Sequence, residues 1–488
     1  MVKISAITRT LMASAIALAC FSAEAATITI TSRDAPGIGF NDPTPVAPVG
    51  GNPGTTLGEQ RMFVYRYVAD IWEQNLNSNV NITVSAGWEA LNCTATGATL
   101  GSAGAWNIWH DFPGGKPGTW YPQALANKLA GVNLSEGNPD DGSGFGNVDI
   151  KTQFNINLGQ PNCLAGSSFY LGIDGNAGNN VNFVETLLHE LGHGLGFSVL
   201  SVQTSTGRRI NAAGTAYSDT GLPSVWEEFM YDNTIGKRWL DMTPLERKAS
   251  AINPLQLAWT GPNSVAGATM LKPVPQIKVT GPVGAGSYDA NPATFGTPAP
   301  ASGNWGTMAA YKTQAGETGP GCDPFTATNP VAGKVVLIPR GTCAFAIKAK
   351  NAQNAGAIGV VLSNNAAGPL APGGADPTVT IPAVGITLAD GNTLRTAIAA
   401  APAYGSRLKP GFLSAAFATD PVRRSGSDLA GRPLLYTPNP LVGGSSVSHW
   451  DVTASPNLLM EPSINADLGI ILVAPKDLTV PLMKDIGW

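Results

Sequence analysis

Charged side chains are scarce in this sequence and make up 13% of its 488 residues. The net charge is −4, so the chain has no basic excess of the kind that binds nucleic acid or anionic membranes. Beyond the N-terminal region no run of about 18 apolar residues occurs, and we expect no transmembrane span. The many glycines and prolines (58 and 38), with 43% hydrophobic residues, indicate a folded, loop-rich chain of two or three domains.

The N-terminal segment 1–25 has the pattern of a secretory signal peptide. Lys3 and Arg9 precede the apolar run Leu11–Phe21, and Ala-Glu-Ala follows as a small-residue cleavage site. We therefore expect a secreted, extracellular protein. Two alternatives remain open, a periplasmic location and a lipid anchor on Cys20, because Ala-Leu-Ala-Cys resembles a lipoprotein cleavage box.

Cysteine is also rare, and four cysteines remain after the signal segment: Cys93, Cys163, Cys322 and Cys343. An even number in an exported chain favours two disulfides, and four cysteines allow three pairings. Pairing Cys93 with Cys163 and Cys322 with Cys343 keeps each bridge within one proposed domain, so we prefer it.

Histidine is the rarest chemically active residue, with four in the chain, at positions 110, 189, 193 and 449. Two of them form the sequence His189-Glu190-Leu-Gly-His193. On a helix this spacing projects both imidazoles from one face, with Glu190 beside them. The pattern H-E-x-x-H is typical of two Zn²⁺ ligands with a carboxylate general base for water. The other interpretation, two packed core histidines, does not require the glutamate.

The sequence around His189 and His193 supports a helix. Asn182 and Glu185 read as a capping box, and Gly196 as the helix end. His110, on a predicted strand over Ala105–Phe112, has no ligand spacing around it and is interpreted as structural rather than catalytic. Asn138–Asp149 could hold Ca²⁺ through its carboxylates but lacks EF-hand spacing, so a solvated loop is favoured.

A compact β/α pattern occupies the middle of the chain and contains no histidine. Its text includes Gly333–Phe345 (GKVVLIPRGTCAF), Lys350–Val361 and Ile381–Gly385. This segment resembles a protease-associated (PA) domain over roughly 265–415. The resemblance implies a non-catalytic unit that binds a protein partner or governs substrate access.

A catalytic zinc site needs a third protein ligand and an open position. Position 199, where the short metzincin motif has histidine, is Val199. Beyond the PA-like segment the chain reads Ser-His449-Trp and then Leu-Leu-Met460-Glu-Pro. This sequence resembles that of leishmanolysin-type metzincins. The resemblance implies that His449 is the third ligand and that Met460 is the methionine of the turn beneath the metal. Asp451 is either a carboxylate supporting the ligands or a structural residue. The rival third ligands are Glu227 and Glu228.

The predicted fold class is therefore α/β (α+β): a metzincin-like zincin catalytic domain with an inserted β/α PA domain. The expected divisions are 1–25 for the signal peptide, 26–264 and 416–488 for the catalytic domain, and 265–415 for the PA domain.

The predicted function is that of a secreted zinc metalloendopeptidase, in which Zn²⁺ on His189, His193 and His449 activates water and Glu190 is the general base. Protein or peptide substrates are expected. The alternative class is an exported, non-catalytic binding or adhesion protein with a structural zinc. Ligands alone also leave open a zinc hydrolase of non-peptide amides.

Overall fold

A computed structural model of the chain describes residues 25–137, 146–366, 368–374, 376–401, 412–465 and 467–488. The predicted signal peptide, with Cys20, lies outside these ranges except for its last residue. Much of the predicted Ca²⁺ loop, residues 138–145, also lies outside them. None of the helices in the described ranges combines the length and apolar character needed to span a bilayer.

The first sheet has four strands in the order β1-β2-β4-β3. β1, β2 and β4 are parallel, and β3 pairs antiparallel with β4 at one edge. The alternation of buried and partly buried residues along the first part of β4 leaves one face toward the helices and the other outward. The strands are β1 (Ile28–Ser32), β2 (Ile82–Glu89), β3 (Gly101–Ala105) and β4 (Ile150–Asn155).

Two long helices, α1 (Leu57–Asn75) and α3 (Phe183–Leu195), cover the inner face of this sheet. α1 begins at a capping box in which Thr56 accepts from the backbone N–H of Glu59, while the Glu59 side chain bonds back to Thr56. Trp72 and Tyr65 of α1 are fully buried against the core. The other helices of this part are α2 (Gln123–Ala130), α4 (Pro244–Ser250) and α5 (Pro262–Gly267).

Short strands and 3₁₀ turns make up much of the rest of this part. The strands are Cys93–Thr94, Gly97–Ala98, Ile108–Trp109, Tyr121–Pro122, Phe169–Tyr170, Val181–Asn182, Val202–Gln203, Arg208–Ile210, Tyr217–Ser218, Met230–Asp232, Lys237–Arg238 and Leu257–Trp259. The 3₁₀ helices are Gly39–Asn41, Val225–Phe229, Trp239–Asp241 and Ala268–Met270.

The second sheet has eight strands in the order β6-β5-β12-β8-β9-β10-β11-β7, and β8 to β11 are parallel. Its central strands are apolar on both faces, as expected for parallel strands covered by helices. The elements are β5 (Pro273–Thr280), β6 (Gly286–Asp289), β7 (Asn291–Pro292), β8 (Gly303–Ala310), β9 (Val335–Pro339), α6 (Phe345–Asn354), β10 (Gly359–Ser363), β11 (Ala383–Ile386), α7 (Leu388–Ala400) and β12 (Ser414–Arg424).

The two sheets have separate hydrophobic cores. The core around the first sheet also contains Trp450, Met460 and residues of the final helix α8 (Thr479–Ile486). The chain therefore leaves the first core, builds the second sheet and returns. We call residues 273–424 the inserted unit, and the remaining described residues the histidine unit. The protein is thus an α/β protein with mixed sheets and an insertion. Each unit contains one disulfide, Cys93 with Cys163 and Cys322 with Cys343.

One predicted strand is wrong. The strand expected over Ala105–Phe112 is divided, because β3 ends at Ala105 and a separate two-residue strand spans Ile108–Trp109.

Candidate metal centre

The helix α3 carries two of the three histidines of the site. Asn182 caps it by accepting from the backbone N–H of Val184, rather than through the capping box with Glu185 that the sequence predicts. The helix ends before Gly196, whose φ of +122° disfavours other residues.

Two glycines inside α3 allow close packing on both sides. A Cβ at Gly192 would lie 2.8 Å from Sδ of Met460, and one at Gly194 would lie 2.3 Å from Cγ2 of Ile150. Each glycine makes the helix less favourable by about 1 kcal/mol. In return, the absence of a side chain allows Met460 and Ile150 to pack directly against the helix. The result is that α3 lies directly on Met460 and on the first sheet.

His189, His193 and His449 come together in a tight cluster. Nε2 of His193 lies 3.1 Å from Nε2 of His189 and 3.1 Å from Nε2 of His449, and the remaining Nε2–Nε2 distance is 3.3 Å. His189 and His449 are 6% and 5% exposed, while His193 is partly exposed. Among the described residues this is the one group of three or more metal-ligating side chains so close together.

Backbone carbonyls fix the other nitrogen of each ring. Nδ1 of His189 donates to the carbonyl of Leu459 at 2.7 Å, Nδ1 of His193 to Phe197 at 2.7 Å, and Nδ1 of His449 to Ser445 at 2.8 Å. A carbonyl oxygen only accepts, so each Nδ1 carries the proton. In the neutral rings the three Nε2 atoms therefore face one another with unprotonated lone pairs.

Burial keeps these rings neutral. It lowers the pKa of His189 to about 4, and together with the neighbouring His189 it lowers the pKa of His449 to about 3. Burial is also the main cause that places the pKa of His193 well below its usual value. Three neutral imidazoles are the form in which histidine binds a metal.

Glu190 follows His189 on α3 and contacts the edge strand β3. Its carboxylate accepts a hydrogen bond from the backbone N–H of Ala103. Burial raises the pKa of Glu190 to about 8, and this hydrogen bond acts in the opposite direction. The carboxylate is therefore held against β3, with an affinity for protons unusual for a carboxylate.

A buried loop below α3 supports His189. Met460 is fully buried, and the carbonyl of the preceding Leu459 accepts from His189. Asp477, itself buried, accepts from the backbone N–H of Leu459 at 2.7 Å. Glu461 accepts from Leu458 N–H at 2.8 Å within the same loop. Sequence reasoning missed Asp477, because a lone aspartate near the C-terminus carries no spacing signal.

The remaining candidates have partners other than the three histidines. Glu227 is fully buried and forms an ion pair with Arg209 at 2.7 Å, and Glu228 pairs with Lys116 at 2.7 Å. Asp451 accepts from the backbone N–H and hydroxyl of Thr453.

His110 also lies apart from the other three histidines. Its Nδ1 contacts Asp111 at 2.6 Å and its Nε2 contacts the carbonyl of Ala212 at 2.8 Å.

One protein-family model matches part of the inserted unit. The family model of the PA domain matches residues 299–394. Human ER degradation-enhancing alpha-mannosidase-like protein 3 is 54% identical over 46 residues, which are 9% of this chain and 5% of that protein. The minor extracellular protease Vpr of Bacillus subtilis is 41% identical over 68 residues, or 14% of this chain and 8% of that protein. The chain thus covers a small part of these relatives.

Among solved structures, a zinc aminopeptidase from Bacillus subtilis matches with 24% identity and a TM-score of 0.21, covering 32% of this chain and 35% of that one. An aminopeptidase from Aneurinibacillus sp. strain AM-1 matches with 19% identity and a TM-score of 0.20, covering 40% and 41%. Likenesses this weak carry no argument about the histidine unit.

The comparisons correct one prediction. The assignment to leishmanolysin-type metzincins is wrong, since the family match is to a PA domain, over residues 299–394. The physical reason is that two histidines on one helix turn and a third from a distant loop meet the needs of a three-histidine metal site in general. Such spacing indicates ligand chemistry and does not identify a family. The inserted unit carries a PA domain.

Proposed function

We propose that this protein is a zinc-dependent peptidase that carries a PA domain and hydrolyses peptide bonds within protein substrates. The observation that carries the proposal is the contact of three Nε2 lone pairs in a largely buried site. Neutral acceptors at 3.1–3.3 Å repel one another, and none of the three can donate to the others. A cation bound between them removes this repulsion.

The cluster fits Zn²⁺ by donor type and by size. Bonds of about 2.0–2.1 Å at tetrahedral angles separate ligand nitrogens by about 3.3–3.4 Å, close to the observed distances. Three histidines leave a fourth position open, which favours a catalytic over a structural zinc. His189, His193 and His449 would hold the ion. When bound, zinc polarises the substrate carbonyl and lowers the pKa of water.

Glu190 is the proposed general base. Its position beside the imidazoles lets it take a proton from the attacking water and deliver it to the leaving amine. The Ala103 N–H holds the carboxylate in place without requiring a second charged partner. Glu190 thereby links the chemistry to the strand β3, on which a substrate can be bound.

The outer edge of β3 supports cleavage inside an extended chain. β3 pairs on one side with β4 and on its other side with no strand among the described residues. An exposed edge offers backbone donors and acceptors to a peptide that adds as a further strand. A peptide bound in this way runs past the cluster in both directions, which favours an endopeptidase.

The alternative function is a non-catalytic binding protein with a structural zinc. A structural site has four protein ligands and no base, whereas here three histidines accompany Glu190. The two disulfides support action outside the cytoplasm, in keeping with the predicted secretion. The PA domain remains a candidate surface for a protein partner.

The test is digestion of an unfolded protein by the zinc-loaded wild type beside zinc-loaded Glu190→Ala, with products identified by mass spectrometry. We expect internal fragments from the wild type alone. Release of single N-terminal residues would instead indicate an aminopeptidase. Equal hydrolysis by both proteins would exclude Glu190 as the base, and no hydrolysis by either would favour the binding protein.

A further inference from the structure

A cavity of about 310 Å³ lies along β3 and β4, and its lining includes Ala103, the hydrogen-bond partner of Glu190. It is lined by Ser102, Gly104 and Trp106 on one side and by Lys151 and Gln153 on the other. Gly104 pairs with Lys151, and Ser102 with Gln153, so these residues share one face of the sheet. Ile150 points to the other face, where it contacts α3 at Gly194. The cavity therefore lies on the outer face.

The backbone of β3 directs alternate residues toward the free edge. The N–H of Asn155 donates to the carbonyl of Leu100, and that of Trp106 to Asp149. In an antiparallel pair such hydrogen-bonded residues alternate with residues whose N–H and C=O point outward. Residues 101, 103 and 105 are thus the outward ones, consistent with the hydrogen bond from Ala103 to Glu190. A peptide strand can pair with the N–H groups of residues 101 and 105 and with the carbonyls of all three residues.

Side chains of such an added strand would alternate between the two faces of the sheet. Those on the outer face lie beside Gly104, where an added Cβ would meet no heavy atom within 4 Å. The absence of a side chain at position 104 thus leaves the cavity open next to the peptide. The backbone at Gly104 is not in the left-handed region, so the backbone conformation does not require a glycine at this position.

The charge of the cavity comes from Lys151. Its ammonium lies 5.1 Å from the centre of the Trp106 ring, and among the described residues it forms no ion pair with a carboxylate. An ammonium held over an aromatic face beside an open cavity can accept an anionic partner, since the ring attracts the cation without neutralising it.

We infer that this cavity is a subsite for an acidic side chain of an extended peptide, with Lys151 as the residue that determines specificity. The inference deepens the proposed peptidase function, because it concerns how a substrate on β3 is chosen. Glutamate or aspartate at the position facing Gly104 would pair with Lys151, while its methylene groups pack on Trp106. Lysine at that position would be repelled.

Binding can be measured without turnover, using the full-length zinc-loaded Glu190→Ala protein. The probes are fluorescent decapeptides of one fixed sequence in which a single glutamate is moved along the chain, each beside its glutamine counterpart. At one position we expect the glutamate peptide to bind about 10-fold tighter than the glutamine peptide by anisotropy. The difference should shrink at high salt because exposed charges are screened.

Substitutions assign the effect to the cavity. In the Glu190→Ala background, Lys151→Met should abolish the preference, and Lys151→Glu should reverse it toward a lysine peptide. Gly104→Leu should fill the cavity and weaken binding of every peptide at that position. Lys334→Met, on the inserted unit, is the matched control and should change nothing.

Equal binding of all peptides, no binding, or a preference that survives Lys151→Met would overturn the inference. The proposed function fails separately. If the wild type cleaves no protein but the Lys151-dependent preference is present, the protein binds acidic peptides without hydrolysing them and the subsite stands.

Discussion

The histidine unit and the inserted unit bury different kinds of side chain. In the histidine unit the core around α3 contains the imidazoles of His189 and His449 and the carboxylates of Asp477 and Glu461. In the inserted unit the central strands β9 and β10 are almost entirely apolar, and Lys348 is the exceptional buried charge. Burying a polar group costs folding free energy unless the group has a hydrogen-bonding or charged partner. We therefore associate the polar core of the histidine unit with chemistry and the apolar core of the inserted unit with stability.

The largest effect should come from removing an imidazole. His449→Ala leaves two nitrogen ligands, and we expect zinc affinity to fall more than about 100-fold, beyond the loss typical of residues that only support a ligand. Metal content after dialysis against a chelator measures this. His110→Ala is the matched control, because His110 lies outside the cluster and should retain zinc. A fully metallated His449→Ala protein would remove His449 from the site.

Core truncations in the two units should separate stability from metal binding. Leu337→Ala in β9 and Leu187→Ala in α3 both empty fully buried positions, and each should lower the free energy of unfolding by about 2–5 kcal/mol. We expect Leu187→Ala to weaken zinc binding as well, because α3 carries two ligands. Leu337→Ala should leave zinc affinity unchanged. Denaturant unfolding together with zinc titration measures both, and an equal loss of zinc affinity would mean that the units are coupled.

A smaller effect is expected below the metal site. Asp477→Asn keeps the size of the side chain but removes one of the two acceptor oxygens that hold Leu459 and Thr479. Since Leu459 orients His189, we expect zinc affinity to fall about 10-fold. The exposed Asp219→Asn is the control and should show no change. If Asp477→Asn binds zinc as tightly as wild type, the loop holds His189 without help from this carboxylate.

The smallest effect concerns pH and the inserted unit. Burial lowers the pKa of Lys348 to about 8, against about 10.5 for an unfolded lysine. Between these values the folded chain binds fewer protons than the unfolded one, so this lysine makes stability rise with pH. We expect the wild type to gain stability between pH 8 and 10 relative to Lys348→Met, as measured by thermal unfolding. Parallel pH profiles would show that the ammonium is already solvated.

The sequence predicts secondary-structure elements more accurately than it predicts the protein family. Asn182 and Gly196 are predicted to bound the histidine helix, and α3 spans Phe183–Leu195 between them. The grouping of His189, His193 and His449 is predicted from the rarity of histidine and from the sequence around His449. The sequence does not report Asp477 or the role of β3, because both depend on contacts between residues far apart in the chain. Nor does ligand spacing distinguish unrelated proteins that bind the same metal, which is why the metzincin assignment is wrong.

The glycines of α3 also show that contacts between distant residues cannot be predicted from the local sequence. At positions 192 and 194 the sequence registers only a loss of helix propensity, whereas the structure places Met460 and Ile150 against them. Propensity is a local property, and close packing is decided by the partner.

The separation of the histidines along the chain has a consequence for biosynthesis. His189 and His193 are translated before the inserted unit, and His449 after it. A chain interrupted anywhere before residue 449 therefore carries an incomplete metal site, however well its first sheet has folded. The proposed catalytic centre is therefore complete only when synthesis has passed beyond the whole inserted unit.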